Sequence, residues 1–524
     1  MIEMQGSLMT NISRRGLIGG MAAGVLCVPA IGRAQMLFRD YPFRLGIAAG
    51  DPAPDGFVIW TRLAPDPLEP HGGMPLAPVE VEWQVASDEA MRNVVQKGTA
   101  VARPELAHAV HVELAGLQPG RPYWYRFSVG GERTMVGRAR TAPAAGAPLS
   151  AARLGVAGCQ HYEDGLYTAY RHLAAEEVDF VYHYGDYLYE RRSSPVPIGW
   201  DGRPRPFVRA YIGGELYSLD DYRRRYAQTK MDADLQAAHA SAAWFTTFDD
   251  HEVENNWVGT IDENGTPPEI FALRRAAAFQ AYYEHMPLRR AAFPGPAGMR
   301  INRQATYGDL LTVNFLDTRQ YRSDQPCDDG FKPDCPGIVD PRATVLGDAQ
   351  EKWLDASLRA DKARWTLIAQ QVMMMRLDRR TGDEPQPIRN IDSWAAYAAP
   401  RERMVDRLRG RNNVVVVTGD EHQNFAGELR RWDGGGDPVA VEFVSTSISS
   451  GGSGQDKRAN ADRIMARNPE LKFSNDQRGY LVCDVAPDLW QTHFRVVDKV
   501  HEPGGQLSTR ATLSVERGKA AIVS

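Results

Sequence analysis

The segment WFTTFDDHEVENNW (244–257) runs from an apolar stretch straight into two aspartates, a histidine and a glutamate. WFTTF (244–248) has the length and the aromatic and β-branched content of a buried strand. Asp249, Asp250, His251 and Glu252 therefore sit at that strand's carboxyl end. Adjacent carboxylates repel, and both cannot be buried as ions unless a cation lies between or beside them. Three other apolar strands end in the same way. RLGVAG (153–158) runs into Cys159-Gln160-His161, DFVYHYG (179–185) into Asp186-Tyr187-Leu188-Tyr189, and NVVVVT (413–418) into Gly419-Asp420-Glu421-His422. In open α/β sheets the loops beyond such strand ends converge on one crevice. A single Gly-Asp after a strand is a common turn. Four such ends, each bearing Asp, His, Cys or Tyr, point to a metal-binding crevice.

Outward from these strands the chain alternates between strand and helix. Helices are expected over Leu166–Glu177, over Leu219–Ala242 as one or two pieces with Ser218 as a cap, over Glu269–His285 and near Ala349–Ala360. LLTVNFLD, RWTLIAQQ, VAVEFVSTS and GYLVCDVA read as further strands. The fold class is α/β (α+β), with two mixed sheets and helices outside them. Before residue 142 the texture differs: FVIWTRL, VEVEWQVA, HAVHVELAGL and YWYRFSV are short alternating runs separated by turns. They predict an N-terminal β-sandwich over 38–143, and LQPGRPYWYRF resembles a fibronectin or immunoglobulin-like strand pair. Ala142–Pro148 is a Pro/Ala/Gly linker, the catalytic part is expected over 149–506, and Leu507–Ser524 reads as a lid or a frayed tail.

The 524 residues carry 61 Lys and Arg against 66 Asp and Glu, with 43% hydrophobic and 24% charged residues. That balance describes a globular chain of two to four domains and excludes collagen-like, coiled-coil, disordered and multi-span membrane classes. A net charge of -5 argues against a nucleic-acid-binding face, which needs basic residues to displace counterions. In the first 34 residues, Ser13-Arg14-Arg15-Gly16 precedes an apolar Gly/Ala-rich run from Leu17 to Ile31, too short for a stable membrane span. The paired arginines resemble a twin-arginine export signal, with cleavage expected after Ala34 and a general secretory peptide as the alternative. The mature chain is then a periplasmic or secreted protein, read as a monomer, whose partner during export is the twin-arginine translocase. In that oxidising compartment Cys327 and Cys335, which bracket CDDGFKPDC, are expected to form a disulfide. Cys483 reads as a buried core thiol, and Cys159 is left unpaired.

AAGDPAPDGFVIWTR (48–62), GCQ (158–160), GDYLYE (185–190), TTFDDHEVENNW (246–257), NFLDTRQYR (314–322) and TGDEHQN (418–424) together resemble the PhoD-type alkaline phosphatases over nearly the whole chain. The resemblance implies the β-sandwich followed by a calcineurin-like, two-sheet metallophosphoesterase domain. It also implies a phosphoester hydrolase, with a small-molecule, lipid or polymer phosphate ester as substrate. Asp186 would bridge two metals, with Cys159, Tyr189 and His422 completing the first site and Asp250 and Asp420 facing the second. Thiolate, phenolate and imidazole suit Fe3+, and oxygen ligands suit Ca2+. The usual metallophosphoesterase pattern has Asp at the position of Cys159, Asn at Asp250 and His at Asp420, and these departures favour iron and calcium over zinc or manganese. Two metals would activate water for in-line attack, with His251 protonating the leaving alkoxide. Arg319, Asn256 and Gln371 are candidates to steady the phosphoryl oxygens, although Arg319 reads more readily as a structural ion-pair partner and Asp249 as a cap or outer acceptor. A phospholipase D-like phosphodiesterase and an exported, non-catalytic binding protein are the competing readings.

Overall fold

The computed structural model describes residues 38–194 and 207–523; the expected export signal, residues 1–34, lies outside them. Two large sheets face each other. In the first, Ala152–Ala157, Phe180–His183, Ala243–Thr246 and Ile47–Ala53 run parallel as its centre. In the second, Leu311–Phe315, Trp365–Ala369, Val414–Thr418 and Ala440–Val444 do the same. Alternate residues of these strands serve different cores. Leu154, Val156, Phe180 and Tyr182 meet Val313, Phe315, Val415 and Val417 between the sheets, while Val181 and Ala157 face helices on one outer side and Val414 and Val416 face those on the other. Both faces are covered, which is why the strands read as unbroken apolar runs. Phe245 and Phe315 stack across the gap at 4.5 Å.

The helices follow the expected pattern. Leu219–Lys230 begins at Ser218, whose hydroxyl and the Asp221 carboxylate form a reciprocal cap, and Ala233–Ser241 follows after Asp232. Pro268–His285, Gly347–Ala360 and Ala398–Leu408 occupy later crossovers. The first expected helix is shorter than predicted, Thr168–Leu173.

The N-terminal strands depart from a free-standing sandwich. Val79–Ala86, Val94–Ala102 and Pro122–Val129 form a separate sheet that packs on Ile47–Ala53 and Gly56–Arg62 through Phe57 against Tyr123 and Tyr125. The other sheet of this sandwich is not its own. Ile47–Ala53 pairs in parallel with Ala243–Thr246, so hydrogen bonding continues unbroken into the sheet that bears Asp249 and Asp250. Cys327 and Cys335 are joined in a disulfide, and Cys483 is a buried free thiol.

The tail expectation is overturned. Leu507–Glu516 pairs antiparallel with Leu489–Val497 along its whole length, and Ile522–Val523 adds a further short strand. Val515 is buried, with Leu513 and Ala511 packed against the inter-sheet core. The polar positions between them lie on the outer side of a strand that only Ile522–Val523 covers toward the sheet edge, which is why the segment lacks a strong apolar pattern. Removal of residues 507–524 is expected to lower the calorimetric midpoint by at least about 5 °C and to promote aggregation through the uncovered edge. A lid or frayed end would leave that midpoint unchanged.

Candidate metal centre

The parallel strands deliver four loops to one place. Cys159, Asp186, Asp420 and His422 all adopt a left-handed backbone, with φ of 51°, 56°, 65° and 52°. Non-glycine residues adopt this region at a cost, and such strain gathers where a turn must aim a side chain. Two glycines set the distance between the sheets. A Cβ on Gly158 would lie 2.3 Å from the Tyr184 ring, and one on Gly419 would lie 2.1 Å from the same ring. Tyr184 is therefore clasped between GCQ of one sheet and TGD of the other, its hydroxyl donating to the Thr446 carbonyl at 2.8 Å. Gly185, at φ 134°, lets the Asp249 backbone pass where a Cβ would sit.

The ligand-bearing atoms form three overlapping groups, each within 4.8 Å: Cys159, Asp186 and His422; Asp186, Asp250 and His251; Asp249, Asp250 and Asp420. Asp186 belongs to two of them. Tyr189 joins the first, its hydroxyl donating to Asp186 Oδ2 at 2.8 Å and lying 3.2 Å from His422 Nε2. Buried Oδ1 of Asp186, Oδ1 of Asp250 and Oδ2 of Asp249 have no hydrogen-bond partner. Burial and the Asp250 charge push Asp186 up to about 7. Burial, with Asp249 and Asp392 beside it, holds Asp420 well above the carboxylate range, and burial with Asp186 and Asp420 does the same to the Cys159 thiol. His422 is pushed down to about 3 by burial and the charge of Arg478, so its imidazole is neutral, as a ligand must be. Unpaired buried oxygens, a thiol and a neutral imidazole converging on one point are a donor set that fits metal cations.

His251 is the cation of the opposite edge. Its Nδ1 lies 2.7 Å from Glu190 Oε2, and its Nε2 lies 3.8 Å from Asp250 Oδ2. Burial alone would lower its pKa, but the carboxylates of Asp250, Glu190 and Asp186 outweigh it and hold it well above the ordinary value. Asp250 is lowered in return: its burial is outweighed by His251 and Arg319.

The three candidates for steadying phosphoryl oxygens are each bound to other groups. Arg319 is fully buried, its Nε donating to Asp249 Oδ1 at 2.5 Å and its Nη1 to Asp392 Oδ1 at 2.9 Å. It is a counter-ion beneath the carboxylates rather than a group facing phosphoryl oxygens. Gln371, also fully buried, accepts from Thr318 and donates to Thr247 Oγ1 and the Leu316 carbonyl, so its amide is committed to joining strand ends. Asn256 supports Asp250 through its backbone N–H at 2.9 Å, while its side-chain amide donates to Asp329 at 2.5 Å. Asp249 is the acceptor for Arg319. The reading of the sequence missed Glu190, which orients His251, and Glu252, whose carboxylate accepts the N–H groups of Asp186, Tyr187 and Asp249 at 3.0, 2.6 and 2.9 Å. Both lie inside quoted motifs, GDYLYE and DDHE. The signal was an excess of acids over the ligands needed.

A family model for PhoD-like phosphatases matches residues 154–494, and one for their N-terminal domain matches 29–143. The chain belongs to the PhoD-like phosphatase family. The alkaline phosphatase D of Bacillus subtilis (strain 168) is 45% identical over 519 residues, which span 98% of this chain and 88% of that relative. A solved structure of PhoD superposes with a TM-score of 0.89 at 46% identity, covering 93% of this chain and 92% of that one. The purple acid phosphatase PPD1 from yellow lupin, at 12% identity and a TM-score of 0.54, covers 90% of this chain and 74% of that one, and is similar in fold. The two-sheet, calcineurin-like architecture expected of a PhoD-like phosphatase is thus present.

In this family member Glu252 fastens the Asp186 loop to the Asp249 loop. Glu252→Ala leaves three buried N–H groups without an acceptor and is expected to lose about 3–5 kcal/mol in denaturant unfolding. Glu252→Gln, which keeps one acceptor oxygen, should recover part of that loss; equal stability of the alanine variant and the parent would show that the clamp is dispensable.

Proposed function

We propose that this PhoD-like phosphatase is an exported phosphoester hydrolase. It uses Fe3+ held by Cys159, Asp186, Tyr189 and His422, together with Ca2+ held through Asp250 and Asp420. The observation that carries the reading is that Asp186 groups with Cys159 and His422 on one side and with Asp250 on the other, and that Asp250 in turn groups with Asp249 and Asp420. Soft and aromatic donors on one flank and hard oxygens on the other match iron and calcium respectively. The 45% identity to an alkaline phosphatase D supports the reaction class. Export is supported by the twin-arginine-like Ser13-Arg14-Arg15 and by the Cys327–Cys335 disulfide, a bond of oxidising compartments.

Once bound, such a metal pair supplies Lewis acidity to the phosphoryl group and acidifies water. The remaining work falls to side chains. With Nδ1–H directed at Glu190, His251 presents Nε2 as the position from which a proton passes to the leaving oxygen. The surrounding carboxylates keep that proton in place at neutral pH. Arg319 keeps Asp249 in position and lies 3.5 Å from Asp250, and Glu252 keeps the Asp186 turn from shifting.

The test is hydrolysis of p-nitrophenyl phosphate and bis(p-nitrophenyl) phosphate by the mature protein with Ca2+ present. Turnover that falls on the order of 10³-fold in Asp186→Asn supports the two-metal reading, and the ratio of the two rates gives the ester preference. Folded, metal-replete protein that turns over neither ester would contradict it. For His251→Asn the loss should be about 10²-fold or more with a poor alkoxide leaving group and under about tenfold with p-nitrophenolate, which needs little protonation. Equal losses on both would remove His251 from the acid role. Cys159→Ser protein should carry less iron by elemental analysis with its calcium retained.

A further inference from the structure

The loop closed by the Cys327–Cys335 disulfide contributes none of the candidate metal ligands, yet it is tied to the loops that carry them at two points. Asp329 accepts from the side chain of Asn256, whose backbone N–H supports Asp250. Across the two-stranded ladder of Phe331–Pro333 and Ile388–Asn390, Asn390 Nδ2 donates to Glu421 Oε1 at 3.2 Å, and Glu421 sits between Asp420 and His422. The closing end of the loop is equally fixed. Asp334 is bound by Arg389 at 3.0 Å and Arg376 at 3.2 Å, and both cysteines pack against the outer core of the second sheet.

This cross-linked loop presents Phe331, 57% exposed, whose ring lies 5.9 Å from the guanidinium of Arg379. Arg379 is itself paired with the Glu421 carboxylate at 2.5 Å. The ring is therefore held two contacts away from the ligand loop of Asp420 and His422. At the centre itself the His422 side chain is 31% exposed, whereas those of Asp186 and Asp250 are 1% and 3% exposed. The organic part of an ester whose phosphoryl group sits at the metals therefore extends past the loop of Asp420, Glu421 and His422. Isolated exposed apolar residues are ordinary; an aromatic one on a cross-linked loop that is tied both to Asn256 and to Glu421 flanks the metal centre on two sides and can meet the organic part of a substrate.

We propose that the Cys327–Cys335 loop forms the wall that receives the organic group, and that Phe331 confers preference for phosphoesters with an apolar, aromatic body. This rests on the hydrolase reading above. The probes are 1-naphthyl phosphate and glycerol 2-phosphate, and the quantity followed is the ratio of their kcat/KM values. In Phe331→Ala that ratio should fall about tenfold, chiefly through a higher KM for the naphthyl ester, and Phe331→Tyr should keep it within about twofold. A ratio unchanged within about threefold in Phe331→Ala overturns the proposal, as does a tyrosine variant as impaired as the alanine one. A parent enzyme that turns over neither ester overturns the hydrolase reading and this proposal with it. Two active esters with an unaltered ratio overturn this proposal alone.

Discussion

Asp186, Asp249, Asp250 and Asp420 crowd together, with Arg319 and His251 as the positive side chains beside them. Like charges at this spacing and burial repel strongly, and the chain answers in three layers. Arg319, bridging Asp249 and Asp392, neutralises the floor; Arg322, paired with Asp392, extends that floor away from the site. His251, held by Glu190, neutralises one edge. The remaining negative charge and unpaired oxygens face inward toward one another, where only cations can satisfy them. Metal binding is thus the term that lets the other interactions coexist.

The fold is arranged to keep that cluster together against its own repulsion. The clustered side chains come from both sheets, so the sheets must stay in register. Tyr184, gripped between Gly158 and Gly419, fixes their separation at the point where the loops meet. Glu252 locks two loops through three backbone N–H groups. The N-terminal strands contribute as well. By adding Ile47–Ala53 beside Ala243–Thr246 they cover an edge next to the strand that carries Asp249 and Asp250. Single side chains at φ near 50° are tolerated because the surrounding contacts over-determine them.

What could be read from the sequence was local. A buried parallel strand is an apolar run with an abrupt polar end, so the four ligand loops and the alternation of strands and helices were visible without any structure. The residues that act through others were not. Glu190 and Glu252 resemble ordinary solvated acids until the strand order brings His251 and the backbone of Asp186 to them. Arg319 and Gln371 have donors that would suit phosphate, and only their burial assigns those donors to Asp249 and to strand ends. The segment from Leu507 failed as a strand prediction because an edge strand buries one narrow face. Continuity of Ile47–Ala53 into the large sheet is a long-range pairing that local alternation cannot reveal.

The most direct measurement compares thermal stability against pH for metal-stripped and metal-reloaded protein. A carboxylate whose folded pKa is raised keeps a proton that the unfolded chain has already released, so stability falls as pH rises from near 4 through the folded value, about 7 for Asp186. Stripped protein should therefore lose several degrees in its midpoint between pH 5 and pH 8, and reloading with iron and calcium should restore the midpoint most at pH 8. Identical pH dependence with and without metals would contradict the claim that cations hold this cluster together.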